Sequence, residues 1–186
     1  MKNIVLIGMR GSGKSHVGKL LAERLKMDFF DSDAEVEQQA KKSIVDIVAS
    51  DGWETFREWE SRAVRRLAKR TNTVIATGGG VVLREENIAA LKKTGVIVFL
   101  NVPLPDLRER ISGKDLPTRP SLTGKSAPDE LVNIWESRKD AYFSAADIVV
   151  DCPNISSDKR SDVQQHTEEI IEQLASRGIG PVTNSF

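Results

Sequence analysis

Residues 8–15, with the sequence GMRGSGKS, constrain the fold more than any other part of the chain. They complete the pattern G-x-x-x-x-G-K-[ST] of a P-loop, in which successive backbone N–H groups surround a phosphate. The apolar run 4–7 before the loop is typical of a buried strand, and the apolar spacing after it predicts a helix. Strand, loop and helix in this order indicate an α/β fold and argue against a plain glycine-rich turn with a surface lysine.

The residue types in this loop suit nucleotide phosphates. Glycines let the backbone approach phosphate oxygens closely, Lys14 can place its charge against the β- and γ-phosphates, and Ser15 is the expected ligand of a phosphate-bound Mg²⁺. His16 follows the loop, and we assign it no chemistry. A lone histidine in a first helical turn is more often a solvated or capping side chain than a catalyst.

Composition excludes several other classes. A length of 186 residues fits a single domain, residues 1–186, and 27 basic against 27 acidic residues argue against a nucleic-acid-binding protein that relies on bulk charge. Cys152 is the single cysteine, which suits a reducing cytoplasm and indicates a buried apolar residue rather than a nucleophile. The sequence has neither a signal-peptide pattern nor a long apolar run, so we expect no membrane partner and a cytoplasmic location.

Hydrophobic periodicity predicts an alternation of strands and helices. Short apolar runs predict strands at 4–7, 28–30, 73–77, 96–100 and 147–150. Helical spacing predicts helices at 17–25, 35–39, 43–48, 53–70, 85–93, 105–113, 129–143 and 163–174, with a flexible tail over 178–186. This alternation predicts an α/β fold of three layers, α/β/α, with a five-stranded parallel sheet.

Two carboxylates follow the second predicted strand. Asp31 and Asp33 lie at positions i and i+2 of a segment that we expect to be extended, so both could face one site. A kinase needs one carboxylate near its metal and often another near the acceptor hydroxyl. The alternative is that Asp31 or Ser32 caps the next helix, and the sequence leaves both interpretations open.

Two further motifs also have a functional and a structural interpretation. Arg57 and Glu60 are three residues apart on a predicted helix, so the acid could hold the guanidinium in position, although a solvated surface pair is the commoner case. Residues 78–80 are all glycine and end the third predicted strand. They could form a tight turn, but ligands bind at this edge of α/β sheets, which favours function.

Periodicity disappears between Gly113 and Pro128. A connection longer than about 12–15 residues in a compact domain is usually functional or disordered. We interpret residues 113–127 as a mobile lid that carries Arg119.

In their order along the chain, these motifs resemble those of the shikimate kinase family of small P-loop kinases. The features that carry the resemblance are residues 8–15, Asp31-Ser32-Asp33, Phe56-Arg57 with Glu60, Gly78-Gly79-Gly80, Arg119-Pro120, and Arg138 four residues before Tyr142. The resemblance implies transfer of the γ-phosphate of ATP to the 3-hydroxyl of shikimate, in the pathway to chorismate and the aromatic amino acids. It also implies the nucleoside monophosphate kinase fold, with sheet order 2-3-1-4-5, a helical substrate-binding segment near 33–60 and a lid near 113–127.

The resemblance also implies roles for individual residues. ATP would be bound by Gly11, Ser12, Gly13, Lys14, Ser15, His16, Arg110 and Arg119, with Arg110 against the adenine. Shikimate would be bound by Asp33, Arg57, Gly79, Gly80 and Arg138, and the catalytic residues would be Lys14, Asp33 and Arg119. Mg²⁺ would be held by Ser15 and, through water, by Asp31.

The expected partners are therefore shikimate and ATP, bound by a monomer with no nucleic-acid or membrane partner. Two other functions stay open at this stage. One is a related small-metabolite kinase such as a gluconate kinase, and the other is a nucleotide-binding regulatory protein that has no acceptor. The paired acids and the arginine in the lid argue against the second.

Overall fold

The apolar runs form one parallel sheet, as predicted from the sequence. In the computed structural model, which describes residues 2–112, 127–154 and 158–179, the strand order is β2-β3-β1-β4-β5. The strands are β1 (Asn3–Ile7), β2 (Asp28–Asp31), β3 (Thr73–Ala76), β4 (Gly95–Asn101) and β5 (Ile148–Asp151). All residues of β1 are buried, because a central parallel strand has both faces covered.

Helices follow most strands and cover the sheet. They are α1 (Lys14–Leu25), α2 (Ser32–Ala40), α3 (Ile44–Leu67), α4 (Glu85–Thr94), α5 (Leu104–Ser112), α6 (Ala127–Ala145) and α7 (Lys159–Ser176), with a 3₁₀ helix at Val81–Leu83. Helix α1 packs against α7, α3 against α4, and α5 against α6. Within the described ranges, no helix is long and apolar enough to cross a bilayer.

The segment between β2 and β3 has a small hydrophobic core of its own. It is built from Val36, Ile44, Ile47, Phe56 and Ala63, which lie on α2 and α3. Helix α3 is interrupted at Gly52, whose φ of 82° and ψ of 171° are not helical, and this break lies between the helices predicted at 43–48 and 53–70. Ser43 caps the start of α3 by accepting a hydrogen bond from the backbone N–H of Asp46 at 3.1 Å.

Other predicted boundaries need correction or cannot be compared. Helix α2 begins at Ser32 rather than at Glu35, and α6 begins at Ala127, which the sequence assigned to the lid. The remainder of the predicted lid, Arg119 included, and the tail from residue 180 lie outside the described residues.

A buried asparagine joins the starts of the two strands that lead to the glycine-rich segments. Asn3 donates from Nδ2 to the carbonyl of Arg70 at 2.7 Å. Its Oδ1 accepts from the backbone N–H of Thr73 at 3.2 Å and from Thr73 Oγ1 at 2.9 Å. These bonds fix β3 beside β1 and thereby set where both strands end.

We expect Asn3→Ala to lower the free energy of unfolding by about 2–4 kcal/mol, because several buried polar groups lose their partner together. Urea denaturation monitored by circular dichroism measures this change. Asn101→Ala is the matched control. Asn101 makes an exposed side-chain hydrogen bond to Asp151 at 2.7 Å, and its loss should cost no more than about 0.5 kcal/mol. Equal stability of the two variants would contradict the role given to Asn3.

Candidate active site

The loop between β1 and α1 has the backbone geometry that its glycines permit. Gly13 precedes α1 with φ 87° and ψ 8°, in the left-handed region. A Cβ atom on Gly8 would lie 2.9 Å from both the carbonyl oxygen of Leu100 and Ser12 Oγ. The loop therefore lies at the carboxyl edge of the sheet, pressed against the end of β4, which is where ligands bind in open α/β folds.

Lys14 lies inside the curve of this loop. Its side chain is buried, and Nζ donates to the carbonyl of Gly8 at 3.0 Å, to the carbonyl of Met9 at 2.8 Å and to Ser12 Oγ at 3.1 Å. The ammonium is thus held beside the same backbone that would surround a phosphate. His16 is exposed on α1, in agreement with a solvated side chain.

The two oxygens of Asp31 have different partners. Oδ1 caps α2 by accepting from the backbone N–H groups of Asp33 at 2.9 Å and Ala34 at 3.4 Å, so the capping interpretation is confirmed. Oδ2 accepts from Ser15 Oγ at 2.7 Å. A hydroxyl and a carboxylate oxygen side by side next to a phosphate loop are hard oxygen ligands of the kind that Mg²⁺ prefers, so these residues fit the ion.

Asp33 does not share an extended segment with Asp31, and that part of the sequence prediction is wrong. Because α2 begins at Ser32, Asp33 lies in the first helical turn and faces the end of β3 instead. A Cβ atom on Gly78 would lie 2.6 Å from Asp33 Oδ1 and 2.8 Å from Glu60 Oε1. Two carboxylates therefore approach the same glycine, and any side chain there would displace them.

The pair formed by Arg57 and Glu60 is largely shielded from solvent, with Glu60 buried and Arg57 partly buried, so its interpretation as a solvated surface pair is wrong. Arg57 Nη1 lies 2.7 Å from Glu60 Oε2, and their side chains are 12% and 1% exposed. Burial raises the pKa of the Glu60 carboxyl, while the Arg57 guanidinium opposes that rise. The Arg57 guanidinium also lies over the rings of Phe56, at 5.0 Å, and Trp53, at 5.7 Å, which limits its movement.

The glycines at 79 and 80 allow close approach between charged groups and backbone. A Cβ atom on Gly80 would overlap the Arg57 guanidinium, and one on Gly79 would lie 3.2 Å from the backbone nitrogen of Arg10 in the P-loop. The carbonyl of Gly79 accepts from Arg138 Nη1 at 3.1 Å. A plain tight turn would not need these contacts with Arg57, Arg10 and Arg138.

One pocket beside the P-loop contains all the residues that the sequence predicted to bind the phosphate acceptor, and we call it the acceptor pocket. It is lined by Met9, Arg10, Asp33, Ile44, Trp53, Phe56, Arg57, Glu60, Gly78, Gly79, Gly80, Ile111, Glu130, Leu131, Ile134 and Arg138. Sequence reasoning missed Arg10, which occupies a variable position of the loop motif, and Glu130. It also missed Trp53, although the spacing of Trp53, Phe56 and Arg57 places all three on one helical face.

Arg110 lies on α5 against the loop that follows β5. Its Nε donates to Asn154 Oδ1 at 2.8 Å, and Nη2 donates to the carbonyl of Cys152 at 3.2 Å. It does not line the acceptor pocket, and its predicted place against the adenine stays a prediction. Burial raises the pKa of the Cys152 thiol to about 12, which agrees with a buried, unreactive cysteine.

Comparison with known proteins agrees with this arrangement. The family profile described as "Shikimate kinase" matches residues 10–175. Shikimate kinase from Symbiobacterium thermophilum is 43% identical over 176 residues, covering 95% of this chain and 98% of that protein. Shikimate kinase from Nitratidesulfovibrio vulgaris is 47% identical over 148 residues, covering 79% and 85%.

A solved structure gives the same result. Shikimate kinase from Acinetobacter baumannii, in complex with shikimate, superposes with a TM-score of 0.85 at 28% identity, covering 95% of this chain and 94% of that one. The profile spans most of the chain and the relatives exceed 30% identity over most of its length, so this chain belongs to the shikimate kinase family.

Proposed function

We propose that this chain transfers the γ-phosphate of ATP to the 3-hydroxyl of shikimate. The observation that carries the proposal is the convergence of two guanidinium groups, the partly buried Arg57 and the buried Arg138, with Asp33 on one pocket beside the P-loop. Planar guanidinium groups suit a carboxylate, and an aspartate suits hydroxyl groups. Shikimate carries both kinds of group on one ring, and the similar Acinetobacter baumannii kinase is solved with shikimate bound.

For the nucleotide, we propose that the loop around Lys14 receives the β- and γ-phosphates of ATP and that Arg110 lies against the adenine. Ser15 and Asp31 would hold Mg²⁺, Asp31 through water, since their oxygens lie together at the end of the loop. When bound, the ion neutralises phosphate charge. Arg119 stays a sequence prediction as a second cation for the transferred group.

The pocket supports a simple order of bond changes. The 3-hydroxyl of shikimate donates a hydrogen bond to Asp33, its oxygen attacks the γ-phosphorus, and the bond from that phosphorus to the bridging oxygen breaks. The electron pair leaves with ADP, and the hydroxyl proton passes to the Asp33 carboxylate. Because phosphoryl transfer depends mainly on positioning and charge stabilisation, holding the ring by its carboxylate is the main contribution of Arg57 and Arg138.

We also propose that the chain acts as a monomer in the cytoplasm. Residues of a single chain supply the pocket walls, the P-loop and both guanidinium groups, which supports a site that needs no second copy. A free, buried cysteine suits a reducing compartment.

We expect ADP release from Mg-ATP to depend on shikimate, measured with a coupled assay across a panel of hydroxy acids that includes gluconate. Shikimate should be preferred, because the pocket provides guanidinium groups for a carboxylate held on a ring. A preference for gluconate would favour the related small-metabolite kinase. Turnover that no acceptor raises, together with ATP binding but no acceptor binding in calorimetry, would favour a nucleotide-binding regulatory protein.

We expect Asp33→Asn to lower kcat by about 10²–10³-fold, since loss of one good transition-state contact has that magnitude. The dissociation constant for ATP, measured by calorimetry, should stay unchanged because the P-loop is not altered. Asp28→Asn, an exposed aspartate at the start of β2, is the control and should retain wild-type turnover. If Asp33→Asn turned over as fast as wild type, its role as proton acceptor would have to be abandoned.

We expect Arg57→Lys to raise the KM for shikimate about 10–100-fold, because a hydrogen bond to a charged group is worth about 1.5–3 kcal/mol and an ammonium lacks the planar fork. The KM for ATP should change little. Arg65→Lys is the matched control, since Arg65 lies exposed on the same helix. An unchanged KM for shikimate in Arg57→Lys would show that the carboxylate lies elsewhere.

A further inference from the structure

Tyr142 is a fully buried side chain whose hydroxyl contacts the backbone of Gly79, a residue that lines the acceptor pocket. It follows Arg138 by one turn of α6, so both side chains lie on the same face of the helix. Its ring stacks on Phe99 of β4, with centroids 5.1 Å apart and planes 7° apart. Its hydroxyl donates to the carbonyl of Gly79, the same oxygen that accepts from Arg138 Nη1.

The hydroxyl and the Arg138 guanidinium are neighbours, because both donate to the carbonyl oxygen of Gly79. Burial raises the pKa of Tyr142 to about 12, so the hydroxyl keeps its proton throughout the physiological range. The guanidinium and the hydroxyl therefore share one backbone carbonyl as their acceptor.

We propose that Tyr142 is a positioning residue for the acceptor, whose hydroxyl fixes the Gly79 carbonyl and, through that shared oxygen, the Arg138 guanidinium in the geometry that binds a carboxylate. The inference rests on the proposed function, because that function assigns Arg138 to the shikimate carboxylate. Tyr142 does not line the pocket and acts only through its two partners.

The contact between Tyr142 and the Gly79 carbonyl also affects Arg57. Gly79 is followed by Gly80, which lies directly against the Arg57 guanidinium. A change in the orientation of the Gly79 peptide therefore moves the backbone that Arg57 contacts. One buried hydroxyl thereby influences both guanidinium groups, whereas a tyrosine that served only packing would need nothing beyond its ring.

The test is Tyr142→Phe, which keeps the ring stacked on Phe99 and removes the hydroxyl alone. We expect the KM for shikimate to rise about 5–10-fold, as loss of one net hydrogen bond of about 1 kcal/mol predicts. The values of kcat and of the KM for ATP should stay within about twofold. If the variant is less stable, calorimetry at a temperature well below its Tm compares its affinity for shikimate with that of the wild type while both are folded.

Thr73→Val is the matched control for loss of a buried hydroxyl. Thr73 Oγ1 bonds to Asn3 Oδ1 at 2.9 Å, at the opposite end of β3 from the glycines. This variant should lose stability without a change in the KM for shikimate. If Tyr142→Phe likewise changed stability alone, Tyr142 would serve packing and the inference would be overturned.

Arg138→Lys separates this inference from the proposed function. If Tyr142 acts through Arg138, the rise in KM caused by Tyr142→Phe should shrink in an Arg138→Lys background, because contacting residues that act as a unit are not additive. Additive effects would overturn the inference and leave the proposed function intact. An unchanged KM in Arg138→Lys alone would overturn the assignment of the carboxylate, and the inference with it.

Discussion

The active site depends on a stretch of backbone that has no side chains. Residues 78–80 lie between the P-loop on one side and a cluster of charged groups on the other. Asp33 and Glu60 approach Gly78, Arg10 approaches Gly79, and the Arg57 guanidinium lies against Gly80. Any Cβ atom here would push these groups away from the backbone, so these glycines provide close approach rather than unusual dihedral angles.

The buried charged groups of the pocket are each held by a close partner. Glu60 is buried beside Arg57, and Arg138 is buried against a backbone carbonyl. Removing such charges from water is costly unless each has partners of good geometry. Aromatic rings beneath Arg57 and the small hydrophobic core under α2 and α3 hold the partners in place. The positions of these charged groups are thus set by packing as well as by charge.

Three features of the site could not be read from residue spacing. Helix α2 begins directly after Asp31, because that carboxylate caps it, and this placed Asp33 on a helix rather than on an extended segment. Spacing also favoured a solvated Arg57–Glu60 pair, since position on a helix does not reveal which face is covered. Arg10 occupies a position where the loop motif accepts any residue, and the structure shows it to face the pocket.

The sequence by itself determined the P-loop, the parallel strands between helices and the family, because these depend on local periodicity and on residue types in a fixed order. Tertiary structure alone decided which side chains meet. Arg57, Gly79 and Arg138 come from three elements far apart in the chain, and their contacts arise only when the strands are aligned and the helices cover them. The shared contacts of Tyr142 and Arg138 with one carbonyl likewise follow from packing between α6 and the glycines that follow β3, which no local pattern specifies.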